Sequence, residues 1–330
     1  MTLMHTAVLD ARVDADVARA IDLLTSGHLV AVPTETVYGL AADASNATAV
    51  HAIFEAKGRP ETHPLIVHVA ATEDARVLSQ SWTPSAEVLA RQFWPGPLSI
   101  LTERSDAVSS VVTGGRNTVV LRVPDDPTTL RVLRALHDAG SIGIAAPSAN
   151  RFGSISPTTA VHVLVELEGR VDAVLDGGPC RVGVESTIVD CSKEPGVILR
   201  PGGVPTELVA AALAEHGLSV VLSSEIAGTT DTDRAIAPGM LRSHYAPRTR
   251  LLVFETEAEI DAERRRAEAR NERVTVLPHH SDPYEYSRQL YASLRRCDDG
   301  SSDVILGLLP HAAGLGAAVR DRLLKAAAER

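Results

Sequence analysis

The stretch VDADVARAIDLLTSGHLVAVPTETVYGL, Val13–Leu40, decides the fold class. Apolar residues at helical spacing from Val13 to Leu24 give way at Gly27 to the unbroken apolar run Leu29–Val32, the pattern of an amphipathic helix delivering the chain into a buried strand. Thr34, Glu35 and Thr36 follow that strand directly, and in extended chain Thr34 and Thr36 project to the same side. Polar groups at the end of a buried strand are where loops hold ligands on a rigid base. A capped turn accounts for the same residues without a ligand.

The same alternation continues outward. Strands are expected at Leu65–Val69, Leu98–Leu101, Thr118–Val123, Ile142–Ala145, Ala173–Leu175 and Thr187–Val189, all short apolar runs bounded by Gly, Pro or Asp. Helices are expected from an Asn46 cap to Lys57, and at Ala86–Phe93, Thr128–Asp138, Thr158–Leu167 and Pro205–His216. Because helices separate only some of the strands, the pattern predicts an α/β fold with a mixed, twisted sheet and flanking helices. From Ser223 to Pro247 the chain turns polar and turn-rich, which reads as a linker. Beyond it, strands at Leu251–Phe254, Val274–Leu277 and Val304–Leu308 alternate with helices at Glu257–Arg273, Tyr284–Arg296 and Leu315–Ala328, predicting a small parallel α/β unit of Rossmann-like type. The expected division is 1–220, a linker or lid at 221–248, and 249–330.

Composition limits the function. The 330 residues carry a net charge of −10 and only 3% aromatics, which argues against a broad nucleic-acid-coating surface or a base-stacking platform. Three scattered cysteines, Cys180, Cys191 and Cys297, form no CxxC pair and fit a reducing compartment. With no leader-like start and no long apolar run, the expectation is a soluble, cytoplasmic protein without a membrane partner. Only Lys57, Lys193 and Lys325 occur among 32 basic residues, so Lys57, at a helix end beside Gly58 and Arg59, stands out.

Familiar catalytic templates are missing. There is no GxxxxGKS or GxxxxGKT loop, no GxSxG elbow and no HExxH, and the glycines Gly314 and Gly316 lack the third member of a dinucleotide fingerprint. Five polar clusters remain at strand ends: VPTETVYGL (Val32–Leu40), KGRPETHPLIVHV (Lys57–Val69), IAAPSAN (Ile144–Asn150), GVESTIVD (Gly183–Asp190) and LRPGGV (Leu199–Val204). Each alone is explained by an ordinary turn or an exposed cationic face. Together, small residues beside Arg59, Arg122 and Arg200 point to a phosphate-bearing ligand, since a guanidinium binds phosphate oxygens in a fixed fork.

In this order, and with WPGPLS (Trp94–Ser99) between them, these motifs resemble the YrdC-like domain of threonylcarbamoyl-AMP synthases. APGMLRSHYAPRTRL (Ala237–Leu251) and GLGAAVRDRLLKAA (Gly314–Ala327) resemble the longer, two-domain form, so the likeness spans essentially the whole chain. The resemblance implies an enzyme that joins L-threonine, bicarbonate and ATP into threonylcarbamoyl-AMP and pyrophosphate, with Mg²⁺ accompanying ATP. Partner proteins of a transferase complex would then modify a tRNA adenosine beside the anticodon; direct tRNA contact is left open, as is the metal's ligand set.

By motif position, the resemblance places Thr36, His68, Arg122, Ala146 and Ser186 around threonine. It places Arg59, His63, Thr118, Ser148, Asn150, Ser156, Arg200 and the linker residue Tyr245 at ATP, with Lys57 and Arg59 stabilising phosphate charge. Ala237 and Leu241 depart from the commonest family pattern, where serine and lysine stand, and His63 replaces a frequent asparagine. Two other readings remain: a module that binds RNA without chemistry, and an enzyme forming a different carbamoyl adenylate. The first fits poorly with the net charge of −10, and the second lacks the accessory zinc-finger and acylphosphatase-like parts.

Overall fold

The computed structural model describes residues 5–223, 236–241 and 243–328. Residues 224–235 and Arg242, within the expected linker, lie outside the described residues. The first part of the chain contains the strands β1 (Ala7–Asp10), β2 (Val30–Val32), β3 (Gly39–Asp43), β4 (Ile66–His68), β5 (Ser79–Ser81), β6 (Leu98–Arg104), β7 (Thr118–Arg122), β8 (Ile144–Ala145), β9 (Ala173–Asp176), β10 (Thr187–Asp190), β11 (Gly196–Arg200) and β12 (Val220–Leu222). They form one sheet of order β1-β9-β2-β3-β8-β4-β7-β6-β10-β11-β12, with β5 on β6. Parallel pairs such as β4 with β7 and β6 with β10 sit beside antiparallel ones such as β2 with β3 and β6 with β7, so the sheet is mixed as expected.

The helices α1 (Asp14–Thr25), α2 (Ala47–Lys57), α3 (Thr72–Leu78), α4 (Pro84–Phe93), α5 (Pro127–Asp138), α6 (Ala160–Leu167) and α7 (Thr206–Ala214) flank this sheet. Side-chain caps start several of them, with Thr83, Asp126 and Thr159 each accepting a backbone N–H of the first turn. The helix α2 matters most for the site. Asn46 accepts from Thr48 and Ala49 at its start, and Gly58 ends it at φ 64°, a left-handed stop that turns the chain and points Lys57 and Arg59 inward.

The sequence reading missed β1, β3, β5, β11, β12 and α3. The strand β3, GLAAD, is rich in alanine and glycine and so lacks the β-branched signature of a strand; it forms because it pairs with β2 and β8 on both sides. The helix expected to run to Arg273 stops earlier, as Arg270 caps it and Asn271 takes a left-handed φ of 59°.

Beyond the linker, β13 (Arg250–Phe254), β14 (Val274–Val276) and β15 (Val304–Leu308) form a three-stranded parallel sheet of order β13-β15-β14, with α8 (Glu257–Ala269), α9 (Pro283–Cys297) and α10 (Leu315–Ala327). Its core is shared with the first part of the chain. Leu290, Leu294, Val319 and Leu323 bury against one another in the same cluster as Val37, Ile155 and Val184 and the linker residue Tyr245. The small unit therefore packs its apolar face directly on the loops that carry the polar motifs. Among the described residues no helix is long and apolar enough to cross a membrane.

Replacing the Asn46 cap by alanine removes the side-chain acceptor for two N–H groups of α2. We expect a loss of about 1 kcal/mol in stability, read as a lower urea midpoint at unchanged slope.

Candidate active site

Topology brings the motifs to one edge of the large sheet. β4 and β7 run parallel and end there in His68 and Arg122, which sit opposite each other in register. β6 and β10 start at the same edge, and β11, antiparallel to β10, ends there in Arg200. The loop after β2 supplies Thr34 and Thr36, and the chain after β8 supplies Ala146 and Ser148, held by Ala146 N–H on Ile66 O at 3.0 Å.

A cavity opens among these ends. Thr34, Thr36, Arg59, His68, Arg122, Ala146, Ser148, Glu185, Ser186 and Arg200 line it, and Pro238, Gly239, His244 and Tyr245 of the linker complete it. Its volume is about 50 Å³, room for one or two waters, whereas ligand pockets run to roughly 300 Å³ or more. The linker residues thus fill the space. Gly239 allows this fit: at φ +78° a side-chain carbon there would stand 2.4 Å from the Tyr245 hydroxyl.

Buried cations shape every wall. Arg122 Nε donates to Gly96 O at 3.1 Å and Nη2 to Thr36 Oγ1 at 3.0 Å, and Nη2 also pairs with the buried Glu35 carboxylate at 2.7 Å. Arg200 donates to Ser186 O through Nε and Nη2, at 3.1 and 2.9 Å, and to Pro238 O at 3.0 Å, tying the GVEST turn to the linker. Arg59 donates to Pro64 O at 3.0 Å and lies over the Phe152 ring, and its Nε has no partner among the described residues. Burial, with Arg200 nearby, lowers the Arg59 guanidinium to about 10, which leaves it charged at neutral pH.

The imidazoles are different. Burial, reinforced by the Arg122 charge, pulls His68 down to about 3, and burial with Arg59 pulls His63 to about 4. His244 is likewise held well below its ordinary value by burial and then Arg59. The site is therefore cationic through its guanidinium groups while its histidines stay neutral, and His68 Nδ1 is buried without a partner among the described residues.

Several expected site residues stand behind the cavity rather than in its lining. The Lys57 ammonium is buried and donates to the carbonyls of Ser148 and Asn150, fixing the APSAN turn from below. Asn150 Nδ2 donates to Arg151 O and Ser154 O, with its Oδ1 unpartnered, and Ser156 Oγ donates to Glu185 at 2.6 Å. The His63 ring packs on Phe152 at 5.4 Å, which in turn meets His244 edge-on. Thr118 begins β7 opposite Glu103, away from the lining residues.

Sequence reasoning missed Glu185, Tyr291 and Arg322. Glu185, buried in the cavity wall, accepts from the Tyr291 hydroxyl at 2.9 and 3.1 Å and from Arg322 Nε at 2.6 Å. Tyr291 lies on α9 and Arg322 on α10, in the small unit, and Arg322 is fully buried. The alternation in α10 reads as a surface helix, so a core arginine there carries no local signal. Tyr245, at a left-handed φ of 63°, stacks on Tyr291 with ring centroids 5.9 Å apart and sits under the Arg322 guanidinium.

The strand-end cavity, its guanidinium groups and its linker cover make a candidate ligand site on an α/β scaffold. Comparison with known proteins then specifies the family. A family model described as telomere recombination matches residues 22–202, and one described as the C-terminal domain of threonylcarbamoyl-AMP synthase matches residues 207–328. The chain is 39% identical to the threonylcarbamoyl-AMP synthase of Pyrococcus abyssi, over 94% of each chain, and 38% identical to that of Bacillus subtilis, over 96% of this chain and 94% of the other. A crystal structure of the P. abyssi Sua5 protein complexed with L-threonine superposes with a TM-score of 0.87, covering 98% of this chain and 97% of that one at 36% identity. The chain belongs to the threonylcarbamoyl-AMP synthase family and is an enzyme.

The Glu185 carboxyl makes a pH prediction. Burial opposes its charge, yet Arg322, Arg200 and the Ser156 hydroxyl outweigh burial and hold it at about 2, below its ordinary 4.5. A depressed carboxyl stabilises the fold fully above its ordinary value and loses that contribution as pH falls through its folded value. Comparing urea midpoints of wild type and Glu185→Gln from pH 6 to pH 2, we expect the wild-type advantage to shrink from pH 4.5 downward. A difference that is constant with pH would contradict this.

Proposed function

We propose that this enzyme condenses L-threonine, bicarbonate and ATP into L-threonylcarbamoyl-AMP and pyrophosphate. The observation that carries the reading is the convergence of Thr36, His68, Arg122, Ala146, Ser186, Arg59, Ser148, Arg200 and Tyr245 on one cavity, drawn from seven separate segments of chain. The relative with bound L-threonine, which covers nearly the whole chain, supports the amino-acid half of the site.

Two bonds form in the reaction. The threonine amine, once it has released its proton, adds to the carbon of bicarbonate with loss of water, giving a carbamate. A carbamate oxygen then attacks the α-phosphorus of ATP and pyrophosphate leaves. Neither step needs a covalent enzyme intermediate, which suits a cavity without a nucleophile and its base. Catalysis rests on holding two anions together and on countering charge in a dry site, where fixed dipoles and cations act strongly.

In this scheme Arg122 and Thr36 bind the threonine carboxylate and hydroxyl, beside His68, Ala146 and Ser186. Arg59 and Arg200 meet the phosphates, with Ser148 and the linker's Tyr245 at the nucleotide. Lys57, Asn150 and Ser156 act on the same ligands by shaping the turns that bear Ser148 and Glu185, and His63 braces Phe152 at the rim. Thr118 lies outside the lining and acts through the position of β7.

Mg²⁺ would enter as part of the ATP substrate. Glu185 is the one carboxylate among the lining residues and is already engaged by Arg322, and among the described residues no group of three or more His, Cys, Asp or Glu is placed to hold a metal. The triphosphate itself is thus the fitting ligand for the ion. The product is a labile mixed anhydride, so transfer to a tRNA adenosine beside the anticodon by partner proteins in the cytoplasm is the natural next step.

The linker acts as a lid. With about 50 Å³ free, ATP enters only when Pro238, Gly239, His244 and Tyr245 move away, and their return excludes water from the anhydride. Limited proteolysis reads this directly: cleavage between Ser223 and Pro247 should slow when ATP and threonine are both added. Unchanged cutting would count against closure.

The primary test is pyrophosphate release by the purified protein with Mg²⁺ and ATP, omitting threonine or bicarbonate in turn, with mass detection of the product. Release should require both. Arg122→Ala should cut kcat/KM for threonine by roughly 30-fold to 1,000-fold, the cost of losing a charged hydrogen-bonding partner, with ATP affinity largely kept. Equal loss of both would refute the division of the pocket.

A further inference from the structure

We propose that the small C-terminal unit completes the active site, with Arg322 as a positioning residue that keeps Glu185 from neutralising Arg200. The inference rests on the synthase reading for its turnover assay, and its binding assay stands apart from that reading.

The charges around the rear wall are few: Glu185, Arg200 and Arg322 are buried, and Asp321 and Lys325 are half-buried. Glu185 carries one negative charge and faces two guanidinium groups, Arg322 from α10 and Arg200 from β11. It also accepts from Tyr291 on α9 and from Ser156 of the loop after the APSAN turn. Arg322 directs Nε at Glu185, Nη2 at Pro201 O at 3.1 Å and Nη1 at Asp321, while Asp321 also pairs with Lys325 at 3.0 Å. Lys325 in turn donates to Gly239 O of the linker at 2.7 Å.

Counting these groups gives Arg200, Arg322 and Lys325 against Glu185 and Asp321, an excess of one positive charge. That excess falls on Arg200, because the hydrogen bonds that Glu185 accepts come from Arg322, Tyr291 and Ser156. Among the described residues Arg200 donates only to neutral groups, Ser186 O, Ser186 Oγ and Pro238 O, and it lines the cavity. Its charge is thus left for an incoming anion. Remove the Arg322 guanidinium and Glu185 has Arg200 as its nearest cation. The two would then form a buried pair, and the wall would lose its pull on phosphate.

This also gives the small unit a purpose that its sequence conceals. It bears no complete phosphate-binding loop, yet α9 and α10 reach the cavity wall through Tyr291 and Arg322 and grip the linker through Lys325. The same helix therefore sets the charge of the wall and seats the lid.

The test uses the full-length chain and measures ATP affinity by equilibrium dialysis alongside threonine-dependent pyrophosphate release. Arg322→Met should weaken ATP binding at least 10-fold and raise the KM for ATP more than that for threonine. Adding Glu185→Gln to Arg322→Met removes the competing carboxylate and should recover most of the lost affinity. A structural role alone predicts the opposite, a double variant no better than the worse single one, and that result would overturn the proposal. If Arg322→Met does not fold, Tyr291→Phe, which keeps the ring packing and removes one donor to Glu185, should still weaken ATP binding several-fold. Wild-type affinity in that variant would refute the clasp. If wild type binds ATP but makes no threonylcarbamoyl-AMP, the synthase reading fails, and the affinity ratios decide the present inference by themselves.

Discussion

Buried cations seated on backbone carbonyls are what the site depends on. Lys57 holds the carbonyls of Ser148 and Asn150, Arg59 that of Pro64, Arg122 that of Gly96, Arg200 those of Ser186 and Pro238, Arg322 that of Pro201 and Lys325 that of Gly239. Each contact solves two problems together. A loop carbonyl removed from water needs a donor, and a cation removed from water needs oxygen around it. The carbonyls carry no net charge, so the loops become rigid while Arg59 and Arg200 keep their positive charge beside the cavity. A cavity with carboxylates in place of those carbonyls at Arg59 and Arg200 would be equally ordered and would lose its positive potential.

The same constraint explains why the large sheet is mixed. A regular doubly wound sheet sends its strand ends to one edge with a helix after each, leaving ligands to the loop at a switch point. Here antiparallel neighbours return the chain to the same edge, so starts of β6 and β10 and ends of β4, β7 and β11 all contribute. Short strands of three to five residues suffice, since β4 and β7 need only carry His68 and Arg122 to matching heights.

How much of this was legible in the sequence follows from the kind of signal each part leaves. The apolar runs of β2, β7 and β10 and the heptad-like faces of α1 and α5 announce themselves, and so does the parallel order of the small unit. β3 does not, because an alanine-glycine strand is specified by its neighbours rather than by its own side chains. The polar motifs name Thr36, His68, Arg122, Ser148 and Arg200 as candidates, but local sequence does not tell lining from support. Lys57 is the clearest case: its isolation marks it as special, whereas its direction, toward two carbonyls and away from the cavity, is a property of the packed α2 end.

Arg322 and Tyr291 were out of reach for a different reason. An arginine at the buried face of an amphipathic helix looks like a pattern error until its partner is known, and Glu185 lies 137 residues away. Single-residue periodicity cannot see a pair at that separation. Placing a fully buried guanidinium in a helix is costly unless a carboxylate meets it with good geometry, and here Glu185, Asp321 and Pro201 O engage its Nε, Nη1 and Nη2. Only replacement of the whole cluster, Glu185 included, by apolar side chains would remove the desolvation cost. The interface carries charge instead, so the small unit meets the cavity wall through an ion pair as well as through apolar packing.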